Sequence, residues 1–479
     1  MDQCKEFRVL LIAYYYPPLG GPASIRLGKT VKYLKKEKIK VDVVTVKNIA
    51  YHSTDNNTFE ESLPDRIEYA SSYDLPTLLY HVKKLISFFT EKDTAQNRQV
   101  EGGNIYFFLP EKLRGFLRNI LPIDEKLFWY FGAKKRALYL LRTRKHDFII
   151  TSIGPYTAAL IGYSLSKVTG IPLLVDYRDH WTLNPYEYFR TPINKILSEK
   201  WERRIINQAS CMTFIGEAMR DELRHKYPEE FPEKSAIVYN GFDESDFIDE
   251  PENDHTDKIG DGKNKKSDDK QILSSQNDSE FVFTYTGNFY HQRTPYYFCM
   301  AIQHLIESKQ LPENVRIRFI GNYHKEAKSI LNQPVFKNII QTQSYQPHKK
   351  TIQSLLKSDC LLLFIPSADG KSVLTSKLFE YLRSGKPILA MIPELSEAAD
   401  ILTSSNALNI SSLNITNNHY ICPPENVQVI AQTILTILEH YKSQKVKIDG
   451  EIKQRWELYS REEQTKKLVK LMLEYERKD

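Results

Sequence analysis

The chain is 479 residues long, 41% hydrophobic and 12% aromatic, with 66 basic against 60 acidic residues and a formal net charge of +6. At roughly 150 residues per domain, that length predicts two or three domains with sizeable cores rather than one. The charge excess is mild, which excludes the clustered basic signature of a nucleic-acid binder, and no stretch approaches the roughly 20 apolar residues of a membrane span.

Five cysteines, Cys4, Cys211, Cys299, Cys360 and Cys422, are scattered and form no CxxC pair. An odd, dispersed set supports neither a disulfide framework nor a zinc site, so a reducing compartment is expected. The first apolar run, "VLLIAYYY", passes straight into Pro17 and Pro18. A signal peptide needs a longer apolar region and a small-residue cleavage site, so this run reads as a first strand of a soluble, cytoplasmic protein.

Along the chain, β-rich apolar runs alternate with helical patterns, which predicts parallel sheets with helices on both faces. The first-half strands are "RVLLIAYY", "VDVVTV", "DFIITS", "PLLVDY", "CMTFIG" and "AIVYN". Between them fall helical patterns such as "SIRLGKTVKYLKK", "YTAALIGYSLSKVTG" and "INKILSEKWERRIINQA". From residue 249 to about 280 the chain turns polar, "DEPENDHTDKIGDGKNKKSDDKQILSSQNDSE", and cannot bury enough surface to offset its ordering entropy; it reads as a flexible linker. The alternation then restarts with "FVFTYTG", "VRIRFIG", "NIIQTQ", "CLLLFIP" and "PILAMIP". The expected organisation is a first α/β domain over 1–248, the linker over 249–280, a second α/β domain over 281–446 and a charged helical tail over 447–479.

One segment stands apart. Between residues 81 and 145, "EKLRGFLRNILPIDEKLFWYFGAKKRALYLLRTRK" mixes Leu, Phe and Trp with many basic residues. It reads either as a peripheral contact with an anionic membrane surface or as ordinary helices packed on the first domain with solvated basic faces.

Ligands of such sheets bind beyond the carboxyl ends of the strands. The loop "PPLGGPAS" sits there, after the first strand. Gly20 and Gly21 allow close backbone approach to a ligand, and the amides of the following helix favour an anion; a tight turn with no ligand is the alternative. Gly20-Gly21-Pro22 lacks the GxGxxG spacing of a dinucleotide site, and no GxxxxGK[ST] loop occurs, so no nicotinamide cofactor is expected.

The second half marks its chemistry better. "SKLFEYLRSGKPILA" starts a helix at Ser376 or Lys377 after the polar loop "PSADGKSVLT". Thr375 or Ser376 can cap that helix, and Lys377 adds a mobile positive charge beside its amides. Glu380, one turn later, is placed to accept hydrogen bonds from hydroxyls. A nucleoside diphosphate fits, with its diphosphate at the helix start and its ribose diol on Glu380. The alternative is a capped helix with Glu380 facing solvent. In "TYTGNFYHQRTP", Gly287 permits close approach at a strand end, and Arg293 is either a second phosphate ligand or a surface arginine before a helix.

Taken together, "YYYPPLGGPASIR", "TSIGPYTAALIG", "VDYRDHW", "VYNGFD", "YTGNFYHQR", "FIGN" and "SKLFEYLRSGKPILA" resemble, in order, the family-4 glycosyltransferases of the GT-B class, and most of all the bacterial members that build surface polysaccharides. The resemblance implies two Rossmann-like, doubly wound domains facing across a cleft. The second would hold a nucleotide-sugar donor, the first a glycan or lipid-linked acceptor, and the final helix would cross back to the first. It implies transfer with retention of configuration, with no cofactor and no metal. Arg293 and Lys377 match the basic pair that neutralises the leaving diphosphate, and Glu380 matches the ribose glutamate. The Gly20-Gly21 loop would lie against donor diphosphate and acceptor.

Two positions depart from the family pattern. Many members carry a sugar-contacting glutamate eight positions before the ribose glutamate; here that position is Ser372. The loop Asp369-Gly370-Lys371-Ser372 would then read the sugar differently. Many also have a histidine after the third of these strands, where this chain has Ser152-Ile153-Gly154-Pro155. Arg178, Asp179 and His180 are candidates for sugar or acceptor contacts, although Asp179 reads equally as the cap of a following helix. A non-catalytic nucleotide-sugar-binding scaffold of a polysaccharide assembly complex and a sugar-nucleotide epimerase are the competing classes.

Overall fold

The structure is a computed structural model that describes residues 6–47, 56–72, 123–184, 191–248, 280–289, 292–369, 371–406, 419–443 and 456–476. The expected linker up to residue 279, most of the basic segment and Gly370 lie outside the described residues. The chain forms two compact units, one of residues 1–242, 374–376 and 457–479, the other of residues 243–373 and 377–456.

In the first unit the elements run β1 (Arg8–Ile12), α1 (Pro22–Lys36), β2 (Lys40–Val46), α2 (Asn56–Glu61), β3 (Arg66–Ala70), α3 (Trp129–Thr143), β4 (Phe148–Ser152), α4 (Thr157–Thr169), β5 (Leu173–Tyr177), α5 (Pro192–Gln208), β6 (Cys211–Phe214), α6 (Glu217–Lys226) and β7 (Ser235–Ile237). Among the described residues they make a seven-stranded sheet in the order β3-β2-β1-β4-β5-β6-β7, with every pairing parallel. The central strands β4, β5 and β6 are buried along their whole length because helices cover both faces, which is why apolar residues dominate them.

The second unit runs β8 (Phe281–Thr286), α7 (Tyr296–Glu307), β9 (Val315–Ile320), α8 (Lys325–Leu331), β10 (Ile340–Gln343), α9 (His348–Leu356), β11 (Cys360–Phe364), α10 (Ser376–Ser384), β12 (Ile388–Met391), α11 (Glu397–Asn406), β13 (His419–Cys422) and α12 (Val427–Ser443). Its sheet, again parallel, has the order β10-β9-β8-β11-β12-β13. A short 3₁₀ turn, Glu244–Phe247, also belongs to this unit. The doubly wound α/β architecture read from the sequence is present in both units.

The terminal helix α13 (Arg461–Glu476) packs on α1, β7 and β6, and its Leu468, Val469, Leu471 and Met472 join the core built on Val9, Leu11, Val41 and Phe148. Two strands are absent from the sequence reading. β3 and β13 are edge strands whose residues are only partly buried, so neither carries a long apolar run. The four described cysteines, Cys211, Cys299, Cys360 and Cys422, are free and buried, and burial pushes the Cys211 and Cys422 thiols up to about 12. They are core residues.

The described part of the basic segment packs one face on the first unit and keeps a basic outer face. In α3, Trp129, Ala133, Ala137 and Leu140 form one buried face against the sheet, while Phe131 is 73% exposed beside the basic residues of the outer face. Among the described residues no helix is long and apolar enough to cross a membrane.

Candidate functional site

In both sheets the strand order reverses direction at one point, between β1 and β4 in the first and between β8 and β11 in the second. Crevices at the carboxyl ends of such strands are where open α/β sheets hold ligands. Most of the candidate residues follow these four strands.

In the second unit, β8 ends at Thr286 and the chain continues through Gly287 and Asn288. Gly287 has a φ of +116°, and its amide donates to the Ile320 carbonyl at 2.8 Å. The neighbouring strand ends the same way in Gly321-Asn322, where a Cβ on Gly321 would sit 2.3 Å from the Gly287 carbonyl oxygen. The Asn322 amide donates to Asn288 Oδ1 at 2.9 Å. These two Gly-Asn corners interlock, which accounts for both "TGN" and "IGN" in the sequence.

The space that a side chain at position 287 would fill is occupied by Lys377. A Cβ there would come within 2.3 Å of Lys377 Cε and 2.6 Å of Nζ. Lys377 is the second residue of α10, with Ser376 as the first and Thr375 immediately before. Its Nζ also lies 5.6 Å from the centre of the Tyr285 ring. Desolvation and the nearby Arg293 guanidinium, opposed in part by Glu380, push the Lys377 ammonium from 10.5 down to about 7. Arg293 is itself 4% exposed. Two cations held this close beside the start of a helix favour an anion between them.

Glu380 follows one turn along α10 and is 8% exposed, so the solvent-facing reading of that residue is corrected. Its Oε1 lies 3.7 Å from His348 Nε2, and the same nitrogen lies 3.3 Å from Asp246 Oδ2. His348 opens α9, and Asp246 lies in the 3₁₀ turn. Ser372 is buried at 4% exposure in the loop after β11, and Asp369 ends a short 3₁₀ turn of that loop. Lys377 therefore sits against Gly287 at the end of β8, with Arg293 acting on its charge and Glu380 one helical turn away.

In the first unit, Gly21 precedes α1 with a φ of +106°, and a Cβ there would meet nothing within 4 Å. The glycine is required by the backbone angle, while the space beside it is open. Gly20 is half-buried next to it. Beyond β5, Arg178 pairs with Asp179 at 3.0 Å and donates to the Gly154 carbonyl. Gly154, in the loop after β4, has φ +93°; a Cβ there would lie 2.5 Å from Arg178 Nη2 and 2.9 Å from Asp179 Oδ2. Arg178 thus ties the loop after β5 to the loop after β4.

The capping reading of Asp179 is corrected: no helix begins within the described residues 180–184, and the Asp179 side chain keeps 53% of its surface exposed. His180 is buried, with Nε2 3.1 Å from Glu222 Oε2, and its carbonyl accepts from the Tyr156 hydroxyl at 2.9 Å. Tyr156 and Trp181 stack with ring centres 4.8 Å apart.

A network not singled out in the sequence lies beneath this edge. Asp176, the fourth residue of β5, accepts from Arg26 Nη2 at 2.8 Å, Ser152 Oγ at 2.8 Å and Thr213 Oγ1 at 2.9 Å. Burial alone would raise its carboxyl, but the Arg26 guanidinium and the two hydroxyls outweigh that and hold it below the usual carboxylate range. Arg26 also donates to the carbonyls of Val238 and Tyr239, binding the chain after β7 to α1. The available signal was a charge within each of two buried elements, "SIRLG" and "LLVDY".

Among the described residues no group of three or more His, Cys, Asp or Glu side chains is placed to hold a metal ion.

Residues 86–246 match the profile of Glycosyltransferase Family 4. Over 220 residues the chain is 24% identical to the Escherichia coli UDP-Gal:alpha-D-GlcNAc-diphosphoundecaprenol alpha-1,3-galactosyltransferase, a match covering 45% of this chain and 51% of that protein. The chain thus spans about half the length of the curated relative it matches. Among solved structures, the N-terminal domain of Candida albicans trehalose-6-phosphate phosphatase superposes with a TM-score of 0.62 at 11% identity, covering 98% of this chain and 97% of that one. A Rickettsia africae glycosyltransferase superposes at 0.56 and 12% identity, covering 98% and 99%. At such identities the superpositions speak for the fold, which is GT-B.

Proposed function

From a chain that is GT-B in fold and carries the family-4 glycosyltransferase signature in its first half, we propose that the protein transfers a sugar from a nucleotide-sugar donor to a lipid-linked or growing glycan acceptor, with retention of configuration. The observation that carries the reading is the seating of Lys377 against Gly287 at the start of α10, with the buried Arg293 guanidinium near enough to act on its charge. As the sugar–phosphate bond breaks, negative charge grows on the departing diphosphate. Preorganised cations and helix amides stabilise that charge more than they stabilise the ground state, which is the condition for acceleration. Lys377, titrating at about 7 before binding, becomes fully charged opposite the diphosphate. Glu380 takes the ribose hydroxyls. In this reading the acceptor hydroxyl attacks from the leaving-group face and its proton passes to a donor phosphate oxygen, so no metal and no side-chain nucleophile is required.

Acceptor and sugar contacts fall to the first unit: the open backbone beside Gly21 and the exposed carboxylate of Asp179, with Arg178 holding the latter. The lipid-linked acceptor is drawn from the printed activity of the E. coli relative, and the place in surface-polysaccharide biosynthesis rests on the sequence resemblance alone. Such an acceptor would bring the protein to the membrane surface, and the exposed Phe131 among the basic residues of α3 suits that role.

The test begins with thermal unfolding in UDP, GDP and ADP. One of them at 100 times its dissociation constant is expected to add about 2.7 kcal/mol of apparent stability. Incubation of matching nucleotide sugars with diphosphate-lipid-linked sugars then yields a product of unchanged anomeric configuration by NMR. Nucleotide binding without transfer or donor hydrolysis across the panel would favour the scaffold class. Donor interconversion without acceptor would favour an epimerase.

A further inference from the structure

Glu380 does not stand alone on its helix. The nitrogen His348 Nε2 faces two largely buried carboxylates, Asp246 at 3.3 Å and Glu380 at 3.7 Å, whose side chains are each 11% exposed. Two carboxylates this near one another repel in a poorly hydrated place, and an imidazole N–H between them relieves that repulsion. The shorter distance marks Asp246 as the group that orients the ring. The longer one exceeds a full hydrogen bond, so the imidazole holds Glu380 electrostatically and leaves its oxygens available to accept from a ligand.

The elements that supply this bridge are themselves clamped. Asp243 Oδ1 accepts from the Ser245 amide and hydroxyl, each at 3.0 Å, and so starts the 3₁₀ turn that presents Asp246. Arg383, three residues after Glu380 on α10, donates through Nε to Glu244 Oε2 at 2.6 Å and through Nη2 to Glu244 Oε1. Its guanidinium also lies 4.8 Å from the centre of the Phe247 ring. The turn is thus fastened to α10 at Glu244 and Phe247 and to α9 at Asp246. A carboxylate that reads a diol needs both oxygens in fixed positions, and this frame provides them.

We propose that His348, oriented by Asp246, is the positioning residue for Glu380, so that the three side chains act as one unit in recognising the ribose hydroxyls of the nucleotide. The inference rests on the reading of Glu380 as the ribose contact. It adds a specificity: the site prefers ribonucleotides over 2′-deoxyribonucleotides, and His348 sets that preference without touching the ligand. A site built to bond a hydroxyl rejects the analogue that lacks it because its own polar groups are left unpaired.

The experiment measures calorimetric affinities for UDP, GDP and ADP, their 2′-deoxy counterparts and inorganic pyrophosphate. The proteins are the wild type, Glu380→Ala, His348→Ala, His348→Gln, Asp246→Asn and the Glu380→Ala/His348→Ala double variant. Expected are a ribonucleotide affinity about tenfold lower in His348→Ala, a smaller loss for the 2′-deoxynucleotides, which keep the 3′-hydroxyl alone, and a pyrophosphate affinity within about twofold of wild type. The double variant is expected to bind no more weakly than Glu380→Ala, since the two changes remove one function. His348→Gln, which keeps a side-chain N–H, recovers part of the loss. Should His348→Ala fail to fold, Asp246→Asn carries the same selective, smaller loss. Equal weakening of all ligands, or an unchanged His348→Ala beside a weakened Glu380→Ala, overturns the inference while the donor site stands. No nucleotide binding by the wild type, or none that depends on Glu380, overturns the donor reading and the inference with it.

Discussion

Lys377 occupies the volume that a side chain on Gly287 would need: a Cβ there would lie 2.6 Å from the lysine Nζ. The glycine and the lysine are 90 positions apart in the chain, yet neither position makes sense without the other. Substitution Gly287→Ala therefore adds a collision to a backbone angle of +116° that L side chains rarely adopt. It is expected to cost about 1–3 kcal/mol of stability through that angle. It should also lower nucleoside diphosphate affinity about tenfold or more by displacing the ammonium. Denaturant titration and calorimetry on one preparation measure both.

Removal of Lys377 should act in opposite directions on folding and on binding. Its charge is disfavoured in the ligand-free protein by desolvation and by Arg293. Lys377→Met is expected to leave the ligand-free protein as stable as the wild type or about 1 kcal/mol more stable, while abolishing the stabilisation given by the cognate nucleotide. Thermal unfolding with and without nucleotide checks the pair of outcomes, and a variant equally destabilised in both conditions would contradict it.

The lysine also predicts proton uptake on binding. In the free protein it titrates at about 7 rather than 10.5. Between those values the unfolded chain binds more protons than the folded one, so this group's contribution to stability rises with pH across that window. A bound diphosphate favours the ammonium and restores the proton. Calorimetry at pH 8 in buffers of different ionisation enthalpy should show uptake approaching about one proton per nucleotide, falling towards zero at pH 6. Uptake independent of pH would contradict the coupling.

Asp176 and Arg26 predict a stability effect in the first unit. Breaking their buried pair by Asp176→Asn or Arg26→Met leaves a buried partner uncompensated and is expected to cost about 3–5 kcal/mol. Because the Asp176 carboxyl titrates below its ordinary 3.8, its contribution is present above that value and is lost as pH falls through the lower folded value. Urea unfolding at pH 7 and at pH 3 should show the difference between wild type and Asp176→Asn shrinking at the lower pH.

Gly154 offers a test of the tie between the loops after β4 and β5. Gly154→Ala brings a methyl to 2.5 Å from Arg178 Nη2 in a backbone at φ +93°. A loss of about 1–3 kcal/mol is expected from the angle alone. The Gly154→Ala/Arg178→Ala double variant should be less unstable than the sum of the singles, since the collision is then absent. Chemical denaturation of the four proteins completes the cycle.

The sequence by itself determined the two α/β halves, because strands buried on both faces are dominated by apolar residues, as in "FIITS" and "CLLLF". It also singled out Gly287, Lys377 and Glu380 as candidates, since a glycine at a strand end and a lysine and glutamate one turn apart at a helix start are local patterns. Edge strands β3 and β13 escaped because partial exposure removes the apolar signal.

Only the tertiary structure decided which distant residues meet. The packing of α9 and the 3₁₀ turn brings His348 and Asp246 to Glu380 across separations of 32 and 134 positions. The parallel register of β4, β5 and β6 gathers Ser152 and Thr213 about Asp176, which also accepts from Arg26. Periodicity reports the environment of a residue along its own element. The partner of a buried charge is chosen by elements that pack beside it, and one-dimensional spacing carries no trace of that choice.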